Sequence, residues 1–492
     1  MFSKFKLDKF GLDKFELVNY CDFKSLLARR AQMFIGRKRE LAVLEQAYHS
    51  PQSALIPVYG RRRVGKSELI LRFLKDKLGL YYLGKKAPAQ LQIREFLREA
   101  ARVLEEPLLS SLSAGNWSDV FAAIAEKFPK NRKFILVFDE FQWTAEAGPE
   151  LLSTLQEFWD RRWKRSANIM IILCGSYIGF MERAVLGRKS PLFGRRTAQI
   201  LLRPFPYAEA AEFHPRWSLS SKAMVYFICG GVPLYLNFFN PVHSVEKNIE
   251  DNLLNEFSPL FREPDFLLRE ELRDVQNYYA ILMAVAQGFS TNPKIAAHTG
   301  VPERSLHYYL QQLIELGYVA RKYPLTGGKS IARKVRFVLE DPLLRFWFRF
   351  VFPNLSFIQQ MGSRRTLREI VRPQLDSFFG YCFENLCREA LPRFYEREGI
   401  SAAFSIGEYW DKEVQIDVVG LRDDNWTDLG ECKWGPIRSQ KQLIAELDRK
   451  VPYYPNPRNA TIGRRLFLNK ISPKMDTSSS DLHWHSLEDL YE

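Results

Sequence analysis

One octapeptide in the chain has the residue types and spacing of a phosphate-binding loop. Residues 60–67 match GxxxxGK[ST], follow the short apolar run Ala54–Tyr59 and precede an amphipathic segment. Glycines let backbone N–H groups turn towards phosphate oxygens, and the next helix adds a favourable dipole. Lys66 would reach the outer phosphates of ATP, and the Ser67 hydroxyl would hold Mg²⁺. The predicted nucleotide-binding residues here are Gly60, Arg61, Arg62, Arg63, Val64, Gly65, Lys66 and Ser67.

A second apolar run ends in two acidic residues. Phe134–Phe138 is apolar throughout and is followed by Asp139 and Glu140. Carboxylates are costly to bury inside a core, so the pair should lie at the edge of a sheet. Asp139 is then suited to bind magnesium through water, and Glu140 to polarise an attacking water as general base. The pair predicts hydrolysis of the bound nucleotide rather than binding alone.

Two further features could complete this site. The apolar run Ile169–Cys174 leads to Ser176, whose hydroxyl could sense the γ-phosphate, although an ordinary turn serine fits equally well. Arg195 and Arg196 lie in a turn before another short strand. Either guanidinium could stabilise the charge that builds on a transferred phosphoryl group, as an arginine finger does. The alternative is that both hold DNA phosphate or another anionic surface.

A second group of chemically competent residues lies near the C-terminus. Asp417 stands within an apolar strand-like run, and Glu431 and Lys433 are two residues apart in the next run, so they share one face of a strand. Two carboxylates and an amine on neighbouring strands can hold Mg²⁺ and position water for attack on a phosphodiester. A solvated hairpin, or a domain that binds DNA without cleaving it, is the alternative.

The elements that must position these groups follow from hydrophobic periodicity. From Phe34 onward, apolar strand-length runs alternate with helical spacing, which predicts a doubly wound α/β domain with a parallel sheet. Between about residues 206 and 274 helical spacing dominates. Residues 1–32 contain a local near-repeat. For them we expect an appendage, or an upstream translation that the native protein lacks; the alternative is an amphipathic N-terminal helix packed on the body.

A helix-turn-helix pattern follows between Tyr278 and Tyr323. Three short segments have helical spacing, and Gly300-Val301-Pro302 forms the turn before the third. Residues 321–338 then contain six basic residues, no acidic one and a Gly-Gly tip, which predicts a basic wing. We expect the third helix to enter a DNA major groove and the wing to hold phosphate. A protein-contact role is the alternative.

Length and composition set the outer limits. At roughly 150 residues per domain, 492 residues predict about three domains, and 46% hydrophobic residues exclude a disordered chain. The formal net charge of +14 permits an anionic partner. No apolar run approaches the roughly 18 residues that cross a bilayer, and the six cysteines and seven histidines are scattered. We therefore expect a soluble cytoplasmic protein with reduced thiols, no membrane partner and no zinc site.

Residues 34–240 resemble the archaeal-type ATPases, a branch of the AAA+/STAND P-loop NTPases. The resemblance is carried by residues 34–41, the phosphate-binding loop, Asp139-Glu140, Gly175-Ser176, residues 191–195 and Gly230-Gly231-Val232-Pro233. It implies an ATP-binding core with a helical lid, in which Gly36 and Arg37 lie near the nucleotide. Pro233 could then lie against adenine, or simply belong to a turn between helices.

The C-terminal region resembles the restriction-endonuclease-like PD-(D/E)xK fold, which is commonly fused to these ATPases. Asp417, Glu431 and Lys433 have its D-x₁₃-E-x-K spacing, and residues 340–372 match the lead-in to such a domain. The resemblance implies that Asp417, Glu431 and Glu384 bind a metal ion. No proline precedes Asp417, which is a departure that the fold tolerates.

These observations predict an α/β protein that hydrolyses ATP with Mg²⁺ and binds DNA through a winged helix, with DNA cleavage by the C-terminal domain. A homo-oligomer or a protein partner is also compatible with the sequence. The alternatives are a STAND-type signalling switch whose last domain only binds a partner, and a transcription regulator. The predicted divisions are an extension (1–32), a P-loop ATPase core (33–205), a helical lid and connector (206–274), a winged helix-turn-helix (275–338), a helical connector (339–372) and a nuclease-like domain (373–492).

Overall fold

The computed structural model describes most of the chain after the predicted N-terminal extension. The predicted extension at residues 1–32 lies outside the described residues, as do Lys329 and Arg333 of the predicted wing. Among the described helices, none is long and apolar enough to cross a membrane. The described residues are 34–129, 131–166, 168–328, 334–473, 475–477 and 481–492.

A parallel sheet forms the centre of the first half of the chain. Its strands are β1 (Ala54–Tyr59), β2 (Gly79–Leu83), β3 (Phe134–Asp139), β4 (Ile169–Gly175) and β5 (Ile200–Leu201). Their spatial order is β2-β3-β4-β1-β5, and every pairing is parallel. Every residue of β1, β3 and β4 is buried, because helices cover both faces of the sheet. The order places β4 between β1 and β3, so the ends of these three strands meet at one edge.

Helices on both faces complete this unit. They are α1 (Lys38–His49), α2 (Lys66–Leu74), α3 (Ala89–Val103), α4 (Trp117–Ala125), α5 (Phe141–Ala147) and α6 (Leu151–Phe158), which continues through a wider turn at Trp159–Trp163. Two separate apolar clusters, one on each face, hold the helices on the sheet. The predicted α/β class with a parallel P-loop core is confirmed.

Two groups of helices follow the parallel sheet. The first is α7 (Tyr207–Ala210), α8 (Leu219–Cys229), α9 (Pro233–Leu236), α10 (Val245–Asn252) and α11 (Pro259–Glu271). The second is α12 (Val275–Ala286), α13 (Asn292–Thr299) and α14 (Glu303–Glu315), followed by the antiparallel strands β6 (Val319–Lys322) and β7 (Arg336–Leu339). Pro302 lies just before α14 rather than in its first turn, where its fixed φ still suits the helix start.

The last region contains a second five-stranded sheet. The elements leading to it are α15 (Pro342–Phe346), α16 (Leu355–Thr366) and the long α17 (Arg372–Arg397). Its strands and the helices after them are β8 (Phe404–Trp410), β9 (Gln415–Arg422), β10 (Trp426–Lys433), α18 (Gln440–Lys450), β11 (Thr461–Leu468), β12 (Leu482–Ser486) and α19 (Leu487–Tyr491). Strands β8, β9 and β10 are antiparallel, whereas β10, β11 and β12 are parallel.

The hairpin formed by β6 and β7 packs against this second sheet. The Leu325 amide donates a hydrogen bond to the Glu408 carbonyl oxygen at 2.8 Å. The Arg336 guanidinium lies 4.5 Å from the centre of the Trp410 ring. One large apolar cluster runs from Phe205 through the helices to Leu490, and two smaller clusters lie against the second sheet. The hairpin is therefore packed against the second sheet of the same chain.

Candidate functional site

The phosphate-binding loop joins β1 to α2 at the edge where the three central strands end. Gly60 and Gly65 both have positive φ, and a Cβ atom at Gly60 would overlap the Leu202 carbonyl oxygen. The Lys66 ammonium donates to the carbonyl oxygens of Gly60 at 3.0 Å and Arg61 at 2.8 Å. Burial lowers the pKa of Lys66. The ammonium is thus held inside the loop, where phosphate oxygens would be received.

Ser67 and Asp139 meet across the sheet edge. The Ser67 hydroxyl donates to Oδ2 of Asp139 at 2.6 Å, and the Tyr81 hydroxyl from β2 donates to the same oxygen. Burial and the nearby Asp139 carboxylate raise the pKa of Tyr81 well above its ordinary value, so its hydroxyl stays protonated as a donor. A hydroxyl and a carboxylate are the hard oxygen ligands that Mg²⁺ prefers, so these residues fit the ion.

Glu140 faces the end of β4. Its Oε2 accepts a hydrogen bond from the Ser176 hydroxyl at 2.6 Å and another from the Gln142 side-chain amide. Glu140 itself has φ +47 and lies at the N-cap position of α5, where its side chain makes no capping hydrogen bond. The carboxylate of the predicted general base is therefore oriented by two neutral donors, one of which is the predicted sensor Ser176.

Three predicted residues outside the loop also lie beside it. The Arg37 guanidinium donates to the Val64 carbonyl oxygen at 3.0 Å and stacks on Phe205 at 3.8 Å. Gly36 lies against the same Phe205 ring, and a Cβ atom there would overlap it. Pro233 lies at the start of α9, and its Cγ would be 3.7 Å from a Cβ at Gly65. The helical region therefore contacts the loop directly.

The side chains of the three loop arginines do not line the loop. Each forms an ion pair with an acidic residue from the helical region. Arg61 pairs with Asp341, which precedes α15. The partners of the other two lie on α11: Arg62 pairs with Glu270 at 3.0 Å, and Arg63 pairs with Glu263 at 2.8 Å.

The two predicted arginine fingers lie elsewhere on the surface. Arg195 forms an ion pair with Asp160 at 2.7 Å and donates to the carbonyl oxygens of its own turn. The Arg196 guanidinium donates to the Leu186 carbonyl oxygen at 3.4 Å. Arg195 is thus held in an ion pair within its own chain. Among the described residues, Arg196 makes one hydrogen bond, and that bond is long.

The C-terminal constellation comes together on β9 and β10. Asp417 is 6% exposed, and its Oδ2 accepts a hydrogen bond from the Cys432 amide at 3.1 Å. Glu431 is 3% exposed and is held by Lys433 at 3.0 Å and by Lys450 of α18 at 2.6 Å. Burial alone would lower the pKa of Lys433, but the carboxylates of Glu431 and then Glu446 outweigh it and raise that pKa. The lysine is therefore protonated beside Glu431.

Glu384 completes the cluster from α17. Its Oε2 is buried and has no hydrogen-bond partner. Burial first, and then the Asp417 carboxylate, raises the pKa of Glu384 to about 8. The same two causes raise the pKa of Glu431 to about 7, against the opposing lysines. The three carboxylates are therefore close enough for each to disfavour the charge of the others.

The carboxylates of this cluster have the ligand chemistry that a divalent cation prefers, but they are not arranged as a metal cage. In the part of the chain that the structure describes, no group of three or more His, Cys, Asp or Glu residues is arranged to hold a metal ion as it stands. The Glu384 oxygen has no partner, and the carboxylates repel one another, so a bound cation would stabilise their charged forms. Carboxylates are ligands that Mg²⁺ prefers. Glu384, Asp417 and Glu431 would hold it.

Several functional residues escaped sequence reasoning. Tyr81, Gln142 and Lys450 touch predicted site residues, yet each lies in an ordinary strand or helix with no motif around it. Asp341 stands in an Asp-Pro start to a helix, a capping signal that explains its hydrogen bond to the Leu344 amide but not its pairing with Arg61. Only their partners in space reveal these roles.

Comparisons with known proteins agree with the site at the parallel sheet. A family described as "ATPase domain predominantly from Archaea" matches residues 34–239. An uncharacterized protein of Methanocaldococcus jannaschii is 30% identical over 427 residues, which are 85% of this chain and 92% of that protein. The chain belongs to the archaeal ATPase family. The resemblance predicted from the motifs is confirmed for the ATPase region.

Other similarities of this archaeal-type ATPase cover different stretches. Residues 347–444 match a family described as "Archaea bacterial proteins of unknown function". An uncharacterized ATP-binding protein of M. jannaschii is 51% identical over 45 residues, 9% of this chain and 76% of that protein. A Walker-type ATPase of Pyrococcus abyssi has a TM-score of 0.47 and 20% identity, covering 65% of this chain and 97% of its own. The ORC2 protein of Aeropyrum pernix has a TM-score of 0.44 and 16% identity, with coverage of 67% and 97%.

Proposed function

We propose that this archaeal-type ATPase binds ATP with Mg²⁺ at the phosphate-binding loop and hydrolyses it. One observation carries the proposal: Lys66, the Ser67–Asp139 pair and the Ser176–Glu140 pair all meet where β1, β3 and β4 end. Bound Mg²⁺ would neutralise charge on the outer phosphates. The chain itself would contribute the Lys66 ammonium as a phosphate ligand and the Glu140 carboxylate as the base that accepts a proton from the attacking water.

The arginine finger is proposed to come from a second copy of the chain. Arg196 is the better candidate, because its contact with Leu186 is long, whereas Arg195 is held by Asp160. A guanidinium that enters from a neighbour would stabilise charge on the transferred phosphoryl group. The expected result is that Arg196→Ala hydrolyses ATP more slowly than wild type at high protein concentration, while Arg195→Ala stays within threefold.

The test of the ATPase proposal is steady-state hydrolysis with ATP and Mg²⁺. Lys66→Ala should lose both binding and turnover, whereas Glu140→Gln should bind ATP normally but turn over at least about a hundredfold more slowly. Glu146→Gln, an exposed acidic residue on the same helix as Gln142, is the matched control and should behave as wild type. Wild-type rates in Lys66→Ala would overturn the site assignment.

We further propose that the α12–β7 segment is a winged helix that binds DNA through α14. Leu306, Leu310 and Leu313 of α14 are buried, while Arg304, His307 and Tyr308 face solvent on the opposite side. This leaves a polar helix face free to enter a groove. The hairpin contributes less than its charge suggests, because Arg336 is stacked on Trp410.

A gel-shift experiment separates the two parts of this proposed DNA surface. Arg304→Glu should weaken DNA binding about tenfold, because it puts a carboxylate on the face that would enter the groove. The triple change of Lys329, Arg333 and Lys334 to Glu should weaken it further and reduce its salt dependence. Arg98→Glu, an exposed arginine on α3, is the control. Unchanged affinity in both variants would show that this segment does not bind DNA.

For the C-terminal carboxylates we propose cleavage of DNA phosphodiesters. The supporting geometry is Asp417 and Glu431 on neighbouring strands, with Glu384 facing them from α17 and Lys433 beside Glu431. The protonated Lys433 would orient the attacking water as a hydrogen-bond donor, and Mg²⁺ would supply charge for the leaving oxygen. Mg²⁺-dependent cleavage should disappear in Asp417→Ala and in Lys433→Ala. It should persist in Asp448→Ala, which removes an exposed acidic residue of α18.

The second candidate is an ATP-dependent switch whose C-terminal domain only binds a partner. The observation that favours it is the docking of the hairpin on the second sheet through Leu325 and Arg336, which links the helical region to that domain. Incubation with ATP, Mg²⁺ and several forms of DNA distinguishes the two candidates. Hydrolysis together with cleavage supports the nuclease, whereas hydrolysis without cleavage of any form supports the switch.

A further inference from the structure

The arginines of the phosphate-binding loop form ion pairs with residues outside the nucleotide-binding fold. Arg61, Arg62 and Arg63 are consecutive, and all three pair with acidic side chains of the helical region. Three adjacent guanidiniums repel one another, so their direction depends on where the compensating carboxylates stand. Those carboxylates therefore help to set the shape of the loop that receives phosphate.

The three ion pairs differ in burial. The Asp341 side chain is 2% exposed and the Arg61 side chain is 20% exposed, whereas Glu270 opposite Arg62 is 52% exposed. Arg61 also lies 5.3 Å from the centre of the Tyr318 ring. Exposed pairs contribute little because water screens them, while an unpaired buried charge is costly. In the third pair the Arg63 side chain is 42% exposed and the Glu263 side chain 12% exposed. The Arg61–Asp341 pair is therefore the most buried of the three, and its loss should have the largest energetic consequence.

Asp341 also belongs to the C-terminal half of the molecule. Its Oδ1 accepts a hydrogen bond from the Leu344 amide at 2.7 Å and so caps α15. Arg345 lies in the same helix. Its guanidinium donates to the Leu339 carbonyl oxygen of the hairpin at 2.6 Å and to Cys382 Sγ at 3.5 Å. Cys382 stands two residues before Glu384 on α17. Asp341 therefore contacts both the phosphate-binding loop and α15, and α15 in turn contacts α17, which carries Glu384.

We propose that Asp341 is a positioning residue for ATP, holding the phosphate-binding loop through Arg61 and coupling nucleotide occupancy to α15. This inference rests on the proposed binding of ATP at the loop. If the pair favours the loop shape that ATP needs, then bound ATP must favour the docked position of α15 to the same extent, because coupling between two sites is reciprocal. Asp341 touches no substrate and acts only through Arg61.

The variant Asp341→Asn isolates the ion pair from the helix cap. Asparagine still accepts the Leu344 hydrogen bond, since it is as good a cap as aspartate, but it has no charge for Arg61. In the full chain, we expect Asp341→Asn to weaken binding of a non-hydrolysable ATP analogue with Mg²⁺ about tenfold, within the range usual for coupled sites. The KM for ATP should rise by a similar factor, while kcat stays within threefold.

A double-mutant cycle tests whether the effect passes through Arg61. Arg61→Gln should weaken analogue binding to a similar degree, and adding Asp341→Asn to it should cause no further loss. The matched control is Glu270→Gln, which breaks the exposed pair with Arg62 and should change affinity less than twofold. Additive losses would mean that Asp341 does not act through Arg61, and would overturn the proposal.

Amide hydrogen exchange supplies a readout that a purely structural role would not move. In the wild type the analogue should slow exchange of the Leu344 and Arg345 amides, and in Asp341→Asn it should leave them unchanged at saturating analogue. Wild-type affinity in a folded Asp341→Asn overturns this inference alone. Absence of analogue binding by the wild type overturns the proposed function instead. If Asp341→Asn does not fold, Arg61→Gln tests the same contact from the other side by affinity and exchange.

Discussion

The Ser176 hydroxyl holds the Glu140 carboxylate from the end of the neighbouring strand, at 2.6 Å. β4 lies between β1 and β3, so the residue after β4 faces both the phosphate-binding loop and the acidic pair. A serine at this point therefore serves as more than a turn residue in the geometry of the site, because it fixes the direction of the carboxylate.

The first prediction concerns this contact. Ser176→Ala removes one of the two donors to Glu140 and leaves Gln142, so turnover should fall about tenfold, less than in Glu140→Gln. The KM for ATP should stay within twofold, because the contact orients the base rather than the nucleotide. Steady-state ATP hydrolysis measures both quantities, and Ser153→Ala on the surface of α6 is the control. A drop in affinity with unchanged turnover would contradict this role.

The second prediction concerns Tyr81, which shares an oxygen of Asp139 with Ser67. Tyr81→Phe keeps the ring and removes the hydroxyl, so Asp139 loses a donor that orients it. Losing such a supporting contact typically costs tenfold or more in metal affinity. The Mg²⁺ concentration for half-maximal hydrolysis should therefore rise about tenfold. Tyr177→Phe, at an exposed tyrosine, should leave the Mg²⁺ titration as in wild type.

The third prediction concerns the charge of the C-terminal cluster. The pKa of Glu384 is raised from 4.5 to about 8, so the folded state keeps its proton over a range where the unfolded state has lost it. The free energy of unfolding should therefore fall as pH rises from about 4.5 to 8, by at most about 1.4 kcal/mol per pH unit for this group. In EDTA at pH 8.5, Glu384→Gln should melt at a higher temperature than wild type.

Mg²⁺ should reverse the difference in melting temperature between wild type and Glu384→Gln. Added to the wild type at pH 8.5, it should raise the melting temperature, by roughly 2–4 °C for each kcal/mol of stabilisation, and it should do so less in Glu384→Gln. Differential scanning calorimetry of the two proteins with EDTA and with Mg²⁺ gives all four values. Equal stabilisation of both proteins by Mg²⁺ would show that Glu384 holds no ion.

The fourth prediction concerns a buried histidine of β12, which is separated from β10 by β11 in the second sheet. His485 is 6% exposed, packs on the Phe394 ring at 4.1 Å, and lies 3.2 Å from the Arg465 guanidinium. Burial, followed by the charge of Arg465, lowers the pKa of His485 from 6.5 to about 2. The unfolded state alone then binds this proton as pH falls below 6.5, so acid removes stability at up to about 1.4 kcal/mol per pH unit.

Urea unfolding between pH 4.5 and 7 tests this effect. Carboxylates also titrate in the lower part of this range, so the informative quantity is the difference between wild type and His485→Gln, whose stability should depend less steeply on pH. His483→Gln, at a histidine that is 45% exposed, should follow the wild type. Parallel curves for wild type and His485→Gln would show that His485 binds its proton equally in the folded and unfolded states, and would contradict the prediction.

Much of the nucleotide site was predictable because its signals are local. The loop pattern and the apolar runs of β1, β3 and β4 specify a backbone path over a few residues each, and parallel strands then bring their ends to one edge. The placement of Asp417 near Glu431 was predictable for a similar reason. Side chains alternate between the two faces of a strand, so residues two apart on β10 share a face, and β9 is the antiparallel neighbour of β10. Local backbone chemistry was enough for these.

The contacts that cross between regions could be decided only by tertiary structure. Arg61 and Asp341 are 280 positions apart, and no pattern in either segment indicates the other. The basic hairpin was predicted as a wing that holds DNA phosphate, and the sequence did not indicate that Leu325 and Arg336 contact the second sheet. Sequence thus determined which backbone elements form and which residues end them. Packing decided which side chains meet, because an ion pair or a stacked ring depends on the summed geometry of every element between its partners.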